Sequence, residues 1–486
     1  MRLKNEILII VSVVLLAVPA TVAGQQSGQP AGQAQNSQAG QQSQPLAPVS
    51  AEEPTQAPEG GPPASTTEDA RSFGGAESYS VGPAGLSRGF FVPSIEFSEM
   101  GDSNFSLSSG HPGFETIDTL VGRIDYKKVA RRYQTTVEYM GGATIYNRHS
   151  DLDTSIQQFG ITESYQGRRW SLLLDNRTSY LPESSLGYGG FGFGGGLGVD
   201  LGGATGSILS NINPALNPSG AILTARGSRV YSTSVAQVQY LTGARSALTF
   251  ALSFGLLHFN QGGVGGSRNG TAMLGYSHSF SARDYIGLNY AFSGFRFPGG
   301  GTSFNTHLLQ AKYGHRISGR MSMEVGAGPQ VNVVKSPVTG STTNLTWSAS
   351  GNLDYRARRG DLGVNYFRNA TNGGGVLNGA TTDNVSLAWS ANLKRRWYFS
   401  LGPGYSHNRS IPLTSNSPNQ NTYDTEYASA SLSRMFGRYT SMFLTYTYQT
   451  QNSNTTSCLV APCSTSLQRN LIGFGFDFHP RQISLE

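Results

Sequence analysis

Three short motifs set an acid and an arginine two residues apart: Arg123-x-Asp125, Asp175-x-Arg177 and Asp354-x-Arg356. In an extended chain residues i and i+2 share a face, so each motif lays opposite charges side by side. Four further acids, Glu96, Glu138, Glu324 and Asp477, fall on the same alternating set without such a neighbour. Charges gathered on one face can do two things. They can neutralise one another as an ion-pair network that braces a wall. With acids in excess and water alongside, they can favour cations over anions.

Other reactive patterns are sparse. Residues 187–197 read Gly-Tyr-Gly-Gly-Phe-Gly-Phe-Gly-Gly-Gly-Leu. A phosphate-binding loop needs a strand before it, a helix after it and, for a nucleoside triphosphate, Gly-Lys-Ser/Thr; none is present, so the segment reads as a long loop. Folded inward, its Tyr188, Phe191 and Phe193 would narrow a passage. The eight histidines are scattered, with no pair at zinc-ligand spacing. Gly-x-Ser-x-Gly does not occur as a nucleophile elbow, which needs a strand before it and a helix after it, and no Ser–His–carboxylate set can be assembled, so an enzyme is not expected and no cofactor or metal is implied. Cys458 and Cys463 close a six-residue segment, Cys-Leu-Val-Ala-Pro-Cys. An oxidising compartment would make them a disulfide; free thiols or half of a metal site are the alternatives.

The elements that must hold these residues are strands. Leu248, Phe250, Leu252, Phe254 and Leu256 alternate with Thr249, Ala251, Ser253 and Gly255. Ile286, Leu288, Tyr290 and Phe292 do the same, as do Val385, Leu387 and Trp389, and Ile472, Phe474, Phe476 and Phe478. A period of two assigns each set to one face. The polar sets are Gly, Ala, Ser, Thr and Asn with few lysines or glutamates, unlike soluble sheets, which guard their surfaces with charge. The runs reach the nine to eleven residues that a tilted membrane strand needs, to within about one residue.

Short basic turns punctuate these runs. They centre on Arg132, Arg169, Arg245, Arg283, Arg320, Arg359, Arg396 and Arg438, at intervals of 37, 76, 38, 37, 39, 37 and 42. The doubled interval contains the Gly-rich insertion at about 185–228. Eight turns join sixteen strands into hairpins; one strand before the first (about 88–98) and one after the last (about 467–479) give eighteen. Both chain ends then lie on the side of the short turns. Tyr133, Trp170, Tyr285, Trp397 and Tyr439 flank the turns and suit a membrane–water boundary. The net charge of +6 is explained by these turns. Spread round a rim, they lack the clustered basic face of a nucleic-acid binder.

Charged residues are 13% of the chain and glycines 62 of 486, a composition short of charge for a soluble protein. Residues 1–23 have a signal-peptide layout: Arg2 and Lys4, an apolar run Ile7–Val18, and Thr21-Val22-Ala23 at a cleavage position. An uncleaved anchor is the alternative, although the run is short for a spanning helix. Residues 24–86 are rich in Gln, Ser, Gly and Pro, too poor in apolar surface to fold alone, and read as a disordered periplasmic extension. Residues 87–486 form the third segment.

From residue 88 onward the chain resembles bacterial porin-like outer-membrane β-barrels: an even number of antiparallel strands, short turns on one side and longer loops on the other. The resemblance is architectural and covers about 400 residues. It implies an all-β, up-and-down transmembrane barrel of about eighteen strands in the outer membrane of a diderm bacterium, with both termini periplasmic. Its partners would be outer-membrane lipids, the barrel-assembly machinery and small polar solutes, with no nucleic acid and an oligomeric state left open. Such barrels often end in an aromatic residue that the assembly machinery reads; here the last strand ends at Phe478 and residues 479–486 follow. The expected function is a passive channel. The alternatives are a loop-plugged structural or adhesin barrel and a polymer-export passage with periplasmic partners.

Overall fold

A computed structural model describes residues 88–485 apart from 106–112, 131, 182–227, 261–265, 299–300, 338–339, 374–376, 395, 413–419, 455–465 and 482. The strands are β1 (Arg88–Asp102), β2 (Glu115–Val129), β3 (Tyr133–Tyr146), β4 (Thr154–Gln166), β5 (Trp170–Leu181), β6 (Arg229–Leu241), β7 (Ser246–Phe259), β8 (Ser267–Ser279) and β9 (Asp284–Arg296). They continue as β10 (Ser303–Ser318), β11 (Met321–Ser336), β12 (Gly340–Ala357), β13 (Gly360–Thr371), β14 (Ala380–Lys394), β15 (Trp397–Ser410), β16 (Thr422–Phe436), β17 (Thr440–Ser453), β18 (Ser466–Phe478) and the short β19 (Ile483–Leu485). The segments 1–23 and 24–86, the loop residues Tyr188, Phe191 and Phe193, and Cys458 and Cys463 lie outside the described residues.

Each of the first seventeen strands pairs antiparallel with the next, and β1 pairs back with β18. The result is a closed eighteen-stranded up-and-down barrel, with the arginine turns joining β2–β3, β4–β5 and so on to β16–β17. Closure leaves no unpaired edge for another chain to extend. The tail after Phe478 rejoins the wall: Ile483–Leu485 pairs with Gly89–Phe91 of β1, prolonging the line that β18 begins.

Alternation separates two faces. Leu248, Phe250, Leu252 and Phe254 are 39–52% exposed, and Ile472, Phe474, Phe476 and Phe478 are 40–58% exposed. Their alternates are buried small polar residues, among them Ser253, Thr271, Ser293, Thr382, Ser406, Thr425 and Thr447. An exposed apolar band outside a closed barrel belongs in lipid, where every backbone group must be bonded within the wall. Tyr133, Trp170 and Tyr439 sit exposed beside the arginine turns, and Arg434 lies over the Trp397 ring at 5.1 Å. Tyr285 does not join that belt. It is buried, because the period of two that turns Ile286 and Leu288 outward turns Tyr285 inward.

Three prolines stand within strands, each where the ladder to one neighbour is broken. Pro93 pairs with Ile124 of β2, but β1 has no partner between Phe91↔Ile483 and Ile95↔Phe478. Pro329 pairs with Trp347, while the β10–β11 ladder skips from Leu308↔Gln330 to Ala311↔Ala327. Pro403 pairs with Ala428, while β14–β15 skips from Ser386↔Gly404 to Trp389↔Leu401. Proline lacks a ladder donor and is tolerated only at such interruptions. At the second, a Cβ on Gly328 would stand 1.8 Å from the Leu309 carbonyl oxygen, so only glycine fits that approach.

Candidate functional site

Register gathers seven of the nine charged positions on one inner wall. Asp477 of β18 lies directly opposite Glu96 of β1. Arg123 and Asp125 follow on β2, and Asp125 faces Glu138 of β3. On β5, Asp175 faces Thr162 of β4 and Arg177 faces Gly160. Within this wall Arg123 Nε reaches Asp125 Oδ1 at 2.9 Å. Thr162 Oγ1 donates to Asp175 Oδ1 at 2.7 Å, and Arg177 Nε lies 3.4 Å from Asp175 Oδ2. Lys127 adds a third cation on the same face of β2.

Acids exceed bases here: Glu96, Asp125, Glu138, Asp175 and Asp477 against Arg123, Lys127 and Arg177. The Glu96–Asp477 pair sets like charges directly opposite, an unfavourable arrangement. Both are buried, at 4% and 1% exposure. His479 Nδ1 lies 3.0 Å from Asp477 Oδ2, while Asp477 Oδ1 and Glu96 Oε2 have no hydrogen-bond partner among the described residues.

The other two acids lie nearly halfway round the ring, on β11 and β12. Glu324 is bound by Lys312 Nζ of β10 at 2.5 Å and by the Tyr285 hydroxyl of β9. Asp354 accepts from Asn352 Nδ2 at 2.8 Å and makes no ion pair with Arg356, whose side chain is exposed. Sequence spacing missed Lys312, because its partner is on the next strand.

It also missed Asp102 and Arg469. Arg469 donates through Nε to Asp102 Oδ1 (3.0 Å) and through a terminal nitrogen to Asp102 Oδ2 (2.6 Å), both side chains fully buried on the inner face. This is the two-pronged geometry that suits guanidinium to carboxylate. The two residues are 367 positions apart, and only barrel closure brings them together.

On the loop side, residues 372–373 and 377–379, between β13 and β14, make contacts on the inner face. Asn372 Nδ2 donates to Ser267 Oγ of β8 at 3.1 Å. Gly379, at φ +99°, packs so closely on Phe304 of β10 that a Cβ would lie 2.5 Å from its ring. Ile411 N–H donates to the Gly379 carbonyl at 3.1 Å, and Phe295, Phe297, Phe304, Val334, Ala370 and Ile411 form a buried apolar cluster there. Asn372 and Gly379 therefore reach strands five and four places away.

A Ser–His contact also occurs, Ser246 Oγ to His278 Nδ1 at 2.8 Å, on the outer face near the turns. Among the described residues no carboxylate touches His278, so the group that would orient a catalytic base is missing. No cluster of three or more metal-ligating side chains is present among the described residues.

No family model matches the chain, and no curated protein matches its sequence. Solved structures similar to it are Pseudomonas aeruginosa OccK2 (OpdF) in complex with glucuronate, at 9% identity over 81% of this chain and 98% of that one, TM-score 0.42; P. aeruginosa OccK9 (OpdG), at 10% identity over 81% and 98%, TM-score 0.41; and the unliganded ferric citrate transporter FecA, at 11% identity over 75% and 60%, TM-score 0.35.

Proposed function

We propose that this chain is an outer-membrane barrel that passes small polar solutes, with both termini and the arginine turns on the periplasmic side. The observation that carries this reading is the wall itself: eighteen strands closed on one another, exposed aromatic and aliphatic residues outside, Ser, Thr, Asn and Gln inside. A barrel of about 16–18 strands is wide enough to hold water along its axis. The acids of the β18–β5 wall give the passage a preference for cations. Residues 1–23 direct export, residues 24–86 extend into the periplasm, Cys458 and Cys463 clasp a loop, and Tyr188, Phe191 and Phe193 narrow the opening.

A second reading has its own observation. The inward contacts of Asn372 and Gly379 and the apolar cluster beside them favour a barrel closed on the loop side, serving as a scaffold or adhesin. Single-channel recording of the mature chain in a planar bilayer separates the two. Stable conductance steps support the channel, and deletion of residues 187–205 should then enlarge them. A correctly folded but silent barrel that begins to conduct when 372–379 is shortened supports the closed form.

A further inference from the structure

One rung of the outer face crosses five strands on the loop side. Arg268 of β8 stands directly opposite Arg296 of β9. Arg296 in turn faces Ser303 of β10, Ser303 faces Lys335 of β11, and Lys335 faces Ser341 of β12. All five belong to the outward set, and the three cations are exposed. Arg–Arg across a ladder is a destabilising pair, so something outside the chain must favour it or the position would cost stability for nothing.

Among the described residues no acid answers these cations. Between residues 246 and 357 the only acids are Asp284, Glu324 and Asp354, all near the turns at the other end of their strands. Among the described residues Arg296 NH1 hydrogen-bonds the Phe295 carbonyl (3.0 Å) and Asn305 Oδ1 (3.3 Å), and no acid. Arg368, farther round the rim, is different: Asp383 neutralises it at 2.7 Å.

The rows below complete the shape. Immediately beneath the arginines Gly270 faces Gly294, a dent in the outer wall where a Cβ on either would meet little. Next come Ala272, Phe292, His307, Val331 and Leu345, then Leu274, Tyr290, Leu309 and Trp347. Cations thus cap a polar recess that opens downward onto apolar wall.

We propose that this face seats an anionic lipid of the loop-side leaflet, its headgroup carrying more than one phosphate. Arg268 and Arg296 grip one phosphate by charge-assisted hydrogen bonds. Lys335 stands two strands beyond Arg296, about 10 Å along the rung at the usual strand spacing, and takes a second with Ser303 and Ser341. The acyl chains lie on Leu274, Leu309 and Leu345. The proposal rests on the barrel spanning a membrane, not on its passing solutes.

The test is native mass spectrometry of the full-length folded protein in mild detergent, with diphosphoryl lipid A, monophosphoryl lipid A and dioleoyl phosphatidylcholine as probes. Wild type should retain the diphosphoryl lipid over phosphatidylcholine. R268Q/R296Q should lower that retention about tenfold or more, while R320Q/R438Q at the opposite rim should not. K335Q should weaken the diphosphoryl lipid and leave the monophosphoryl one unchanged. An unchanged heat-modifiable gel shift shows that each variant is folded, and R268K/R296K, which keeps the charge, provides the second variant should the glutamines misfold; it should still retain the lipid over phosphatidylcholine. Equal retention by wild type and the charge-removing variants overturns the proposal, as does displacement by inorganic phosphate alone. A silent barrel that still retains lipid would sink the channel reading and leave this one standing.

Discussion

The seam between β1 and β18 carries ionisable side chains towards both ends, and they are arranged in opposite senses. Towards the loops, Asp102 and Arg469 meet through two hydrogen bonds with neither exposed. Towards the turns, Glu96 and Asp477 face each other as two acids, each with an oxygen that no described residue satisfies. A buried opposite pair with full hydrogen bonding holds two strands in register. A buried like pair does the reverse and persists only where something other than stability retains it. The first end is a brace; the second is where we place the ion preference of the passage.

Breaking the brace should give the largest effect. Arg469→Met strands a buried Asp102 and should cost about 3–5 kcal/mol, with most of the loss recovered in the D102L/R469M double variant. Urea unfolding of the barrel in lipid, followed by tryptophan fluorescence, measures both. A loss well under 1 kcal/mol for the single change would mean that the pair does not lock the seam.

An intermediate effect is expected on the far wall. Lys312→Met leaves Glu324 with its Tyr285 bond and should cost about 1–3 kcal/mol in the same unfolding experiment. A cost as large as that of Arg469→Met would place this pair, not the seam pair, as the main ionic brace.

The smallest stability change belongs to the acid pair. Glu96→Gln and Asp477→Asn remove repulsion, so stability should stay within about 0.5 kcal/mol or rise slightly. Their signature is electrical: the reversal potential under a salt gradient should move towards lower cation preference. A marked loss of stability with an unmoved reversal potential would make these acids structural and erase the contrast between the two ends.

Much of this architecture is legible in the sequence because its causes are local. Alternation in a run such as Leu248–Leu256 fixes the two faces, and an arginine turn every 38 residues or so counts the hairpins. Pairings set by register are a different matter. Asp354 has Asn352 and Arg356 at equal spacing on its face, and spacing alone does not say that the amide binds it while the longer side chain turns to water. Lys312 and Glu324 meet across a hairpin whose register shifts at Arg316/Ser318, so a count back from the turn would misplace them. The inward contacts of Asn372 and Gly379 have one local sign, the glycines at 373 and 379, both at positive φ. Tyr285 was within reach of the sequence: the parity that turns Ile286 out already turns it in.

Closure of the ring also imposes an order in time. Asp102 finds a partner 367 positions downstream in Arg469, and Gly89–Phe91 receives its partner from residues 483–485, farther along still. The entropic penalty for joining distant points grows only with the logarithm of the separation, so distance itself is no great obstacle. Waiting is. Until β18 is in place, β1 has a bare edge along its whole length, the state most open to wrong pairing. Without residues 483–485 the chain would keep every hairpin and still leave that edge uncovered at Gly89–Phe91.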